Sequence, residues 1–239
     1  MILAAGPGTR LKPLTNSIPK ALIAVGAYPL AEHVLRGYAS VGVDNIAFVT
    51  GYMAKKVESY FGDGSRWELS THFLRQGETP GTAAALLEAA QVVNTNPFFV
   101  SYGDVYLHDP ANYRRLLEFH LDGGYDFSLL VNEVDDPHEG SAVTVEDGRV
   151  THIVEKPPKG TSATKWNKRG VLLFDHRIFD LIDEIAPSPS GELYLTDAIQ
   201  LAVERGLSVG ALPVEGFSSD VGTPERLAEA RKVAETKAD

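Results

Sequence analysis

The chain has 239 residues, with 22 Lys plus Arg against 32 Asp plus Glu, a formal net charge of −10, and no cysteine. This composition excludes disulfides and thiolate metal sites, and it argues against nucleic acid or an anionic membrane as a partner held by bulk charge. No apolar run is long enough for a signal peptide, and none approaches the roughly 20 residues of a membrane span, so the expectation is a cytoplasmic protein.

In chain order, MILA is a strand remnant running into GPGTRLKPLT. LAEHVLRGYASVGV spaces Leu30, Val34, Leu35 and Tyr38 as one helical face, and NIAFVTG reads as a buried strand. AKKVESYFGDG is a short helix with a glycine stop, and ELSTHFL alternates as a strand. The alanine-rich run from Gly81 to Val92 reads as a helix, PFFVSYGD as a strand ending in a Gly–Asp turn, and ANYRRLLEFHL as a further helix. Residues 1–133 thus alternate strand and helix, the pattern of a mostly parallel sheet covered on both faces.

Beyond residue 133 the character changes. SAVTVEDGRVTHIVEK is a hairpin about Asp147–Gly148. PPKGTSATKWN is the longest unpatterned stretch, and it precedes the strand VLLFD, the helices RIFDLIDEI and YLTDAIQLAVERG, and the strand VGALPV. PERLAEARKVAETK closes as a helix with Pro224 in its first turn. The expected organisation is one α/β domain over 1–239, with a mixed-sheet region inserted.

Chemistry concentrates at few points. Arg10, Lys12 and Lys20 stand in thirty residues that hold no acid. Gly6 and Gly8 would let backbone N–H groups face an anion. The loop is neither GxxxxGK[ST] nor GxGxxG, since Leu11 takes the third glycine's place. Phosphate binding and a plain turn both remain open for it. Asp104 at a strand end is a metal or substrate candidate or a turn aspartate. Asp220, ahead of a helix, is its counterpart or a helix cap. Together the two could hold one Mg²⁺, which takes few carboxylates plus substrate phosphates. Glu155 and Lys156 sit at a strand tip where both can reach a ligand. The seven histidines show no metal spacing.

LAAGPGTRLKPLTNSIPKALIAV resembles the signature of the sugar-phosphate nucleotidylyltransferases, matching at Leu3–Gly6, Gly8–Arg10, Pro13, Thr15, Pro19 and Lys20. GDGSRW, QGETPGTAAAL, YGD, VEKP, GELYLTDAI and DVGTPERL follow in the family's order, so the resemblance runs the length of the chain. It implies a Rossmann-like nucleotide-diphospho-sugar transferase fold: a mostly parallel central sheet flanked by helices, with an inserted mixed-sheet sugar-binding region. Residues 1–133 would be the nucleotide part, and residues 134–239 the sugar part with the second metal acid. No C-terminal β-helix domain is expected.

The implied substrates are a nucleoside triphosphate and a sugar-1-phosphate, joined with loss of pyrophosphate. Leu3, Ala4, Ala5, Gly6, Gly8, Thr9, Gln76, Gly81 and Thr82 would bind the nucleotide. Arg10 and Lys20 would act on the reacting phosphates, and Asp104 and Asp220 would hold Mg²⁺. Gly140, Glu155, Lys156, Asn167 and Lys168 would take the sugar phosphate. A homo-oligomer is compatible with the family. A nucleotide-sugar sensor without turnover is the alternative; a glycosyltransferase would want a DxD motif, which Asp104–Val105–Tyr106 is not.

Departures from the pattern gather on the specificity side. Thr79–Pro80–Gly81–Thr82 replaces a usual PLGT, Tyr102 precedes Gly–Asp, and the aromatic expected before Asp220 is displaced to Phe217. Lys168 stands where an asparagine contacts the sugar, with Asn167 beside it. Two readings of Lys168 are open, a cation in the sugar pocket or a lysine turned to solvent. Only Met1 and Ile2 precede Leu3, so the first strand either is clipped, which is the expectation, or pairs with very few bonds; a frayed, unpaired Met1 would speak for clipping.

Overall fold

The computed structural model describes residues 1–236. Its elements in chain order begin β1 (Ile2–Ala4), β2 (Ala24–Val25), β3 (Tyr28–Pro29), α1 (Leu30–Ala39), β4 (Asn45–Thr50), α2 (Ala54–Phe61) and β5 (Ser70–Arg75). They continue with α3 (Thr82–Leu87), β6 (Phe98–Tyr102), β7 (Val105–Leu107), α4 (Ala111–Gly123), β8 (Phe127–Glu133), β9 (Ser141–Glu146) and β10 (Arg149–Glu155). The last are β11 (Trp166–Phe174), α5 (Arg177–Glu184), α6 (Leu195–Glu204), β12 (Val209–Pro213), β13 (Ser218–Asp220) and α7 (Pro224–Glu235).

The chain divides into two compact units that interleave in sequence. The first comprises Met1–Gln76, Val100–Arg114 and Glu215 onward. Its strands run in the order β5–β4–β1–β6, all parallel. β4 is nearly continuously apolar because a parallel strand is covered on both faces. β1 has three residues, yet it pairs on both sides. The carbonyl of Met1 accepts from Ser101 N (2.9 Å) and from the Tyr38 hydroxyl (2.8 Å). Met1 is therefore buried and bonded rather than frayed, and burial pulls its amino group down to about 5.

A ribbon of β7 and β13 forms a separate antiparallel pair in this unit, with Asp220 opposite Val105. Leu11, Val25, Tyr106, Val221 and Leu227 pack together and seat the glycine-rich loop against that ribbon and α7. α7 opens with Pro224 in its first turn as expected, but its cap is Thr223, whose side chain accepts from Arg226 N (3.3 Å), and not Asp220, which lies in β13. The end read for this helix, at Lys237, lies outside the described residues.

Glu32 is the buried polar hub of the first unit, 2% exposed. It accepts from Arg36 Nε (2.8 Å), Tyr60 OH (2.6 Å), Arg66 Nη2 (3.1 Å) and Trp67 Nε1 (3.1 Å). Burial pushes its carboxyl up, but bonds from Tyr60, Trp67 and Arg36 outweigh that and its pKa ends below the ordinary range. The GDGSRW stretch thus serves to close α1 and α2 onto one carboxylate.

The second unit comprises Gly77–Phe99 and Arg115–Val214. Its sheet is mixed, in the order β11–β8–β12–β10–β9, with β8 and β12 parallel and the other pairs antiparallel. The Asp147–Gly148 turn has both residues at positive φ (49° and 76°), as a two-residue hairpin requires. Two expectations need correction. The alanine-rich helix stops at Leu87 and continues only as turns, and the strand after the unpatterned stretch begins at Trp166 rather than near Val171. Asn167 and Lys168 are thereby strand residues. No helix among the described residues is long and apolar enough to cross a membrane.

Glu32→Ala removes the acceptor shared by half-buried Tyr60 and Trp67 and by the exposed Arg36 and Arg66, and is expected to cost about 1–3 kcal/mol in urea unfolding. His120, 5% exposed and bonded to Ser128 Oγ (2.9 Å), is held below its usual pKa by burial, against the charges of Asp175 and Asp126. A depressed histidine gives stability that is present above its unfolded value and lost as pH falls. The urea midpoint should therefore drop between about pH 7 and pH 5, and less steeply in His120→Gln.

Candidate functional site

In the first unit the glycine-rich loop leaves β1 between two neighbouring turns. Ala5 O accepts from Tyr52 N (3.0 Å), and Leu3 O accepts from Gly103 N (2.8 Å). Gly8 is left-handed (φ 61°), and a Cβ there would stand 3.1 Å from both Lys20 Cβ and Thr15 Cγ2, so glycine lets the loop fold against Lys20. Thr15 Oγ1 donates to Gly8 O (3.0 Å) and locks that approach. Gly6, Thr9 and Arg10 are exposed, while Leu3 and Ala4 are buried in the strand and Ala5 is half-buried.

Lys20 Nζ pairs directly with Asp104 Oδ2. Val221 N donates to Asp104 O (3.0 Å), so the β7–β13 ribbon brings the Asp220 segment alongside Asp104 from far down the chain. A Cβ on Gly222 would meet Arg10 Nη2 at 3.0 Å, which puts the guanidinium over the DVG turn. Arg10, Lys20, Asp104 and Asp220, separate in sequence, are gathered in one unit. Gln76 lies in this unit too, its backbone N bonded to Thr50 O (2.9 Å).

A second cluster forms in the second unit. Glu155 faces Ser141 across β9 and β10, and Lys156 N donates to Gly140 O (2.7 Å). Lys156 has φ 43°, a left-handed conformation for a long side chain, and this breaks strand alternation at the tip. As a result, neighbouring side chains reach the same segment: Glu155 Oε2 accepts from Ser141 Oγ and Thr196 Oγ1 (2.6 Å each), and Lys156 Nζ donates to Tyr194 OH (3.1 Å). Burial pulls the Lys156 ammonium down, but the Tyr194 bond and the charges of Glu155 and Glu192 prevail and leave it above the usual lysine value. Asp197, in the first turn of α6, is raised by burial and by Glu155, against the pull of Lys168.

Gly140 has no room for a side chain, since a Cβ would lie 2.1 Å from Asn167 Oδ1. That oxygen accepts from Ser141 N (3.1 Å), so Asn167 is buried as part of the frame. Lys168 is 6% exposed, and its Nζ donates to Thr196 Oγ1 (2.8 Å). The solvent-facing reading of Lys168 is overturned. Gly81 and Thr82 also belong to this unit. Thr82 Oγ1 accepts from Leu195 N (3.0 Å), and Leu193 bonds Pro80 O and Ala83 N through its backbone (3.0 Å each). Sequence reasoning had not singled out Ser141, Tyr194, Thr196 or Asp197. Three of them lie in the quoted GELYLTDAI motif, which was the available signal.

Among the described residues there is no group of three or more acids and histidines able to enclose a metal ion. Asp104 and Asp220 supply two hard oxygen donors beside Lys20 and Arg10. That donor set fits a cation completing its shell with water and phosphate, as Mg²⁺ does, and does not fit zinc.

A family model described as Nucleotidyl transferase matches residues 1–237. The chain is 31% identical over 235 residues to the low-salt glycan biosynthesis nucleotidyltransferase Agl11 of Haloferax volcanii, covering 98% of this chain and 65% of that protein. It is 30% identical to the UTP–glucose-1-phosphate uridylyltransferase AglF of the same organism, covering 97% and 94%. A crystal structure from Bacillus anthracis, described as a glucose-1-phosphate thymidylyltransferase in complex with sucrose, superimposes with a TM-score of 0.88 at 29% identity, covering 98% of this chain and 93% of that one. The chain spans between 51% and 65% of the length of the first curated relatives it matches.

The two glycine environments predict opposite outcomes. Gly81 has φ 117°, and a Cβ there would come within 2.1 Å of Leu193 O, whereas Gly6 has open space. Gly81→Ala is expected to cost about 2–4 kcal/mol and Gly6→Ala about 0.5 or less, read as shifts in thermal unfolding.

Proposed function

Because this chain belongs to the nucleotidyl transferase family, we propose that it joins a nucleoside triphosphate to a sugar-1-phosphate, giving a nucleotide-diphosphate sugar and pyrophosphate. The observation that carries this reading is the gathering of Lys20, Asp104, Asp220 and Arg10 beside the glycine-rich loop of the first unit. A binding protein has little use for two cation-holding acids and two bases at one loop.

In this reaction an anionic oxygen of the sugar phosphate attacks the α-phosphorus. The bond between the α-phosphorus and the β-bridging oxygen breaks, and its electron pair leaves with pyrophosphate. The nucleophile is already charged, so no general base is required. The task is positioning two polyanions and offsetting their charge. Arg10 would hold the triphosphate near the scissile bond, and Lys20, released from Asp104, would contact the reacting phosphates. Asp104 and Asp220 would hold Mg²⁺. When bound, Mg²⁺ would neutralise phosphate charge and polarise the phosphoryl oxygens.

The other assignments follow the family pattern. Leu3, Ala4, Ala5, Gly6, Gly8, Thr9, Gln76, Gly81 and Thr82 would serve the nucleotide. Gly140, Glu155, Lys156, Asn167 and Lys168 would serve the sugar phosphate, Glu155 accepting from hydroxyls and Lys156 pairing with the phosphate. The hydrogen bonds that hold Glu155 and the raised Lys156 support that division. The reading takes residues 1–133 as a Rossmann-like nucleotide part and 134–239 as the inserted sugar part with the second metal acid, in a cytoplasmic protein. Glucose-1-phosphate with UTP or dTTP are the first substrates to test, in keeping with the names of AglF and the Bacillus anthracis protein.

A panel of nucleoside triphosphates against glucose-, galactose-, mannose- and N-acetylglucosamine-1-phosphates checks the reading by pyrophosphate release. Release is expected with Mg²⁺, abolished by EDTA, and cut about a hundredfold or more by Asp104→Ala or Asp220→Ala. No pyrophosphate in any pairing, with nucleotide-sugar binding retained, would replace the enzyme reading with that of a sensor.

A further inference from the structure

Lys168 is a buried lysine on β11, and what an ammonium can and cannot do in a hydrogen bond matters here. A lysine ammonium has three donors and no acceptor, whereas a carboxamide has both. Thr196 Oγ1, fully buried, receives a hydrogen bond from Lys168 Nζ (2.8 Å) and lies 2.6 Å from Glu155 Oε2. Because Lys168 cannot accept, the one hydroxyl proton of Thr196 is directed away from it, to Glu155. Ser141 Oγ lies 3.1 Å from Thr196 Oγ1 and 2.6 Å from the same carboxylate oxygen. Ser141 Oγ donates to that carboxylate oxygen as well. An asparagine oxygen at 168 could accept from Thr196 and reverse this order.

We infer that Lys168 is a positioning residue for Glu155. By donating to Thr196 Oγ1 it fixes Thr196 as a donor to Glu155 Oε2, beside Ser141, and so holds the carboxylate in the orientation offered to a sugar hydroxyl. The inference rests on the proposed sugar site for its consequence, but not for its geometry. Both O–H contacts to Oε2 are of the short, charge-assisted kind. Other charged groups around Glu155 are consistent with the role. Lys156 adjoins it on the strand and is itself faced by Tyr194 and Glu192. Asp197, on α6, is the competing carboxylate. Lys168, approaching from β11, is the buried cation among these groups, and its charge pulls Asp197 down. Its own burial would be costly without them.

The test pairs Lys168→Met with Thr196→Val and reads two quantities. The first is the carbon NMR resonance of the Glu155 carboxyl at neutral pH in the glutamate-labelled protein. The second is KM for each substrate. In each variant that resonance is expected to move, and KM for the sugar-1-phosphate to rise about tenfold, with KM for the triphosphate unchanged. The double variant should be no worse than either single one. An unmoved Glu155 resonance, equal rises in both KM values, or additive losses would each overturn the inference. If the unmodified protein turns over no sugar phosphate while both variants still shift Glu155, the proposed activity fails and the positioning role stands. If Lys168→Met does not fold, Thr196→Val decides by the same readings.

Discussion

Three residues of backbone hold the first unit in register. β1 is only Ile2–Ala4, but its neighbours take hydrogen bonds from it in both directions, and Ser101, Gly103 and Tyr52 all bond to carbonyls between Met1 and Ala5. A strand of this length forms few bonds, so each one constrains more of the structure. Together they deliver the chain to Gly6 between the Gly51 turn and the Gly103–Asp104 turn. Buried Ile2 and the Tyr38 hydroxyl on Met1 O fix the strand from its sides. The position of Arg10 over the DVG turn and of Lys20 against Asp104 follows from that delivery, with Gly8 allowing the final close approach.

In the second unit the organising constraint is the tip of β10. An extended strand would send Glu155 and Lys156 to opposite faces. The left-handed turn at Lys156, tied down by Gly140 O, lets both side chains converge on the segment that opens α6. Strain of this kind persists only where its surroundings over-determine it. Here Gly140 admits the Asn167 carboxamide, Asn167 holds Ser141 N, and Ser141 and Thr196 together hold Glu155. Removing any one member leaves a buried polar partner unmet.

Much of this was legible beforehand, for identifiable reasons. Turn chemistry is local, so Asp147–Gly148 marked its hairpin and Pro224 its helix start. The ordered motifs were enough to identify the family. Pairings between distant segments left no such mark. β7 and β13 have three residues each, too few for a periodicity, so the pairing of the two acids could be expected but not the strand pairing that brings their segments together. The alanine run overstated α3 because helix propensity is intrinsic while the end at Leu87 is set by packing. The direction of Lys168 could not be read either, since a lone lysine beside an asparagine looks like a surface pair. Its burial depends on Thr196, which comes from another element.

The ribbon of β7 and β13 also sets an order of events during synthesis. Domains fold as the chain emerges, at roughly 5–20 residues per second. Val105–Leu107 leaves the ribosome with Asp104 in place, but its partner strand follows only after the whole second unit has been made. That interval is on the order of ten seconds. Until it ends, the apolar seat formed by Leu11, Val25 and Tyr106 lacks Val221 and Leu227. A nascent chain can therefore display the glycine-rich loop and one acid well before it holds the second. The first unit becomes whole only when the segment from Glu215 onward docks, after the second unit has been made.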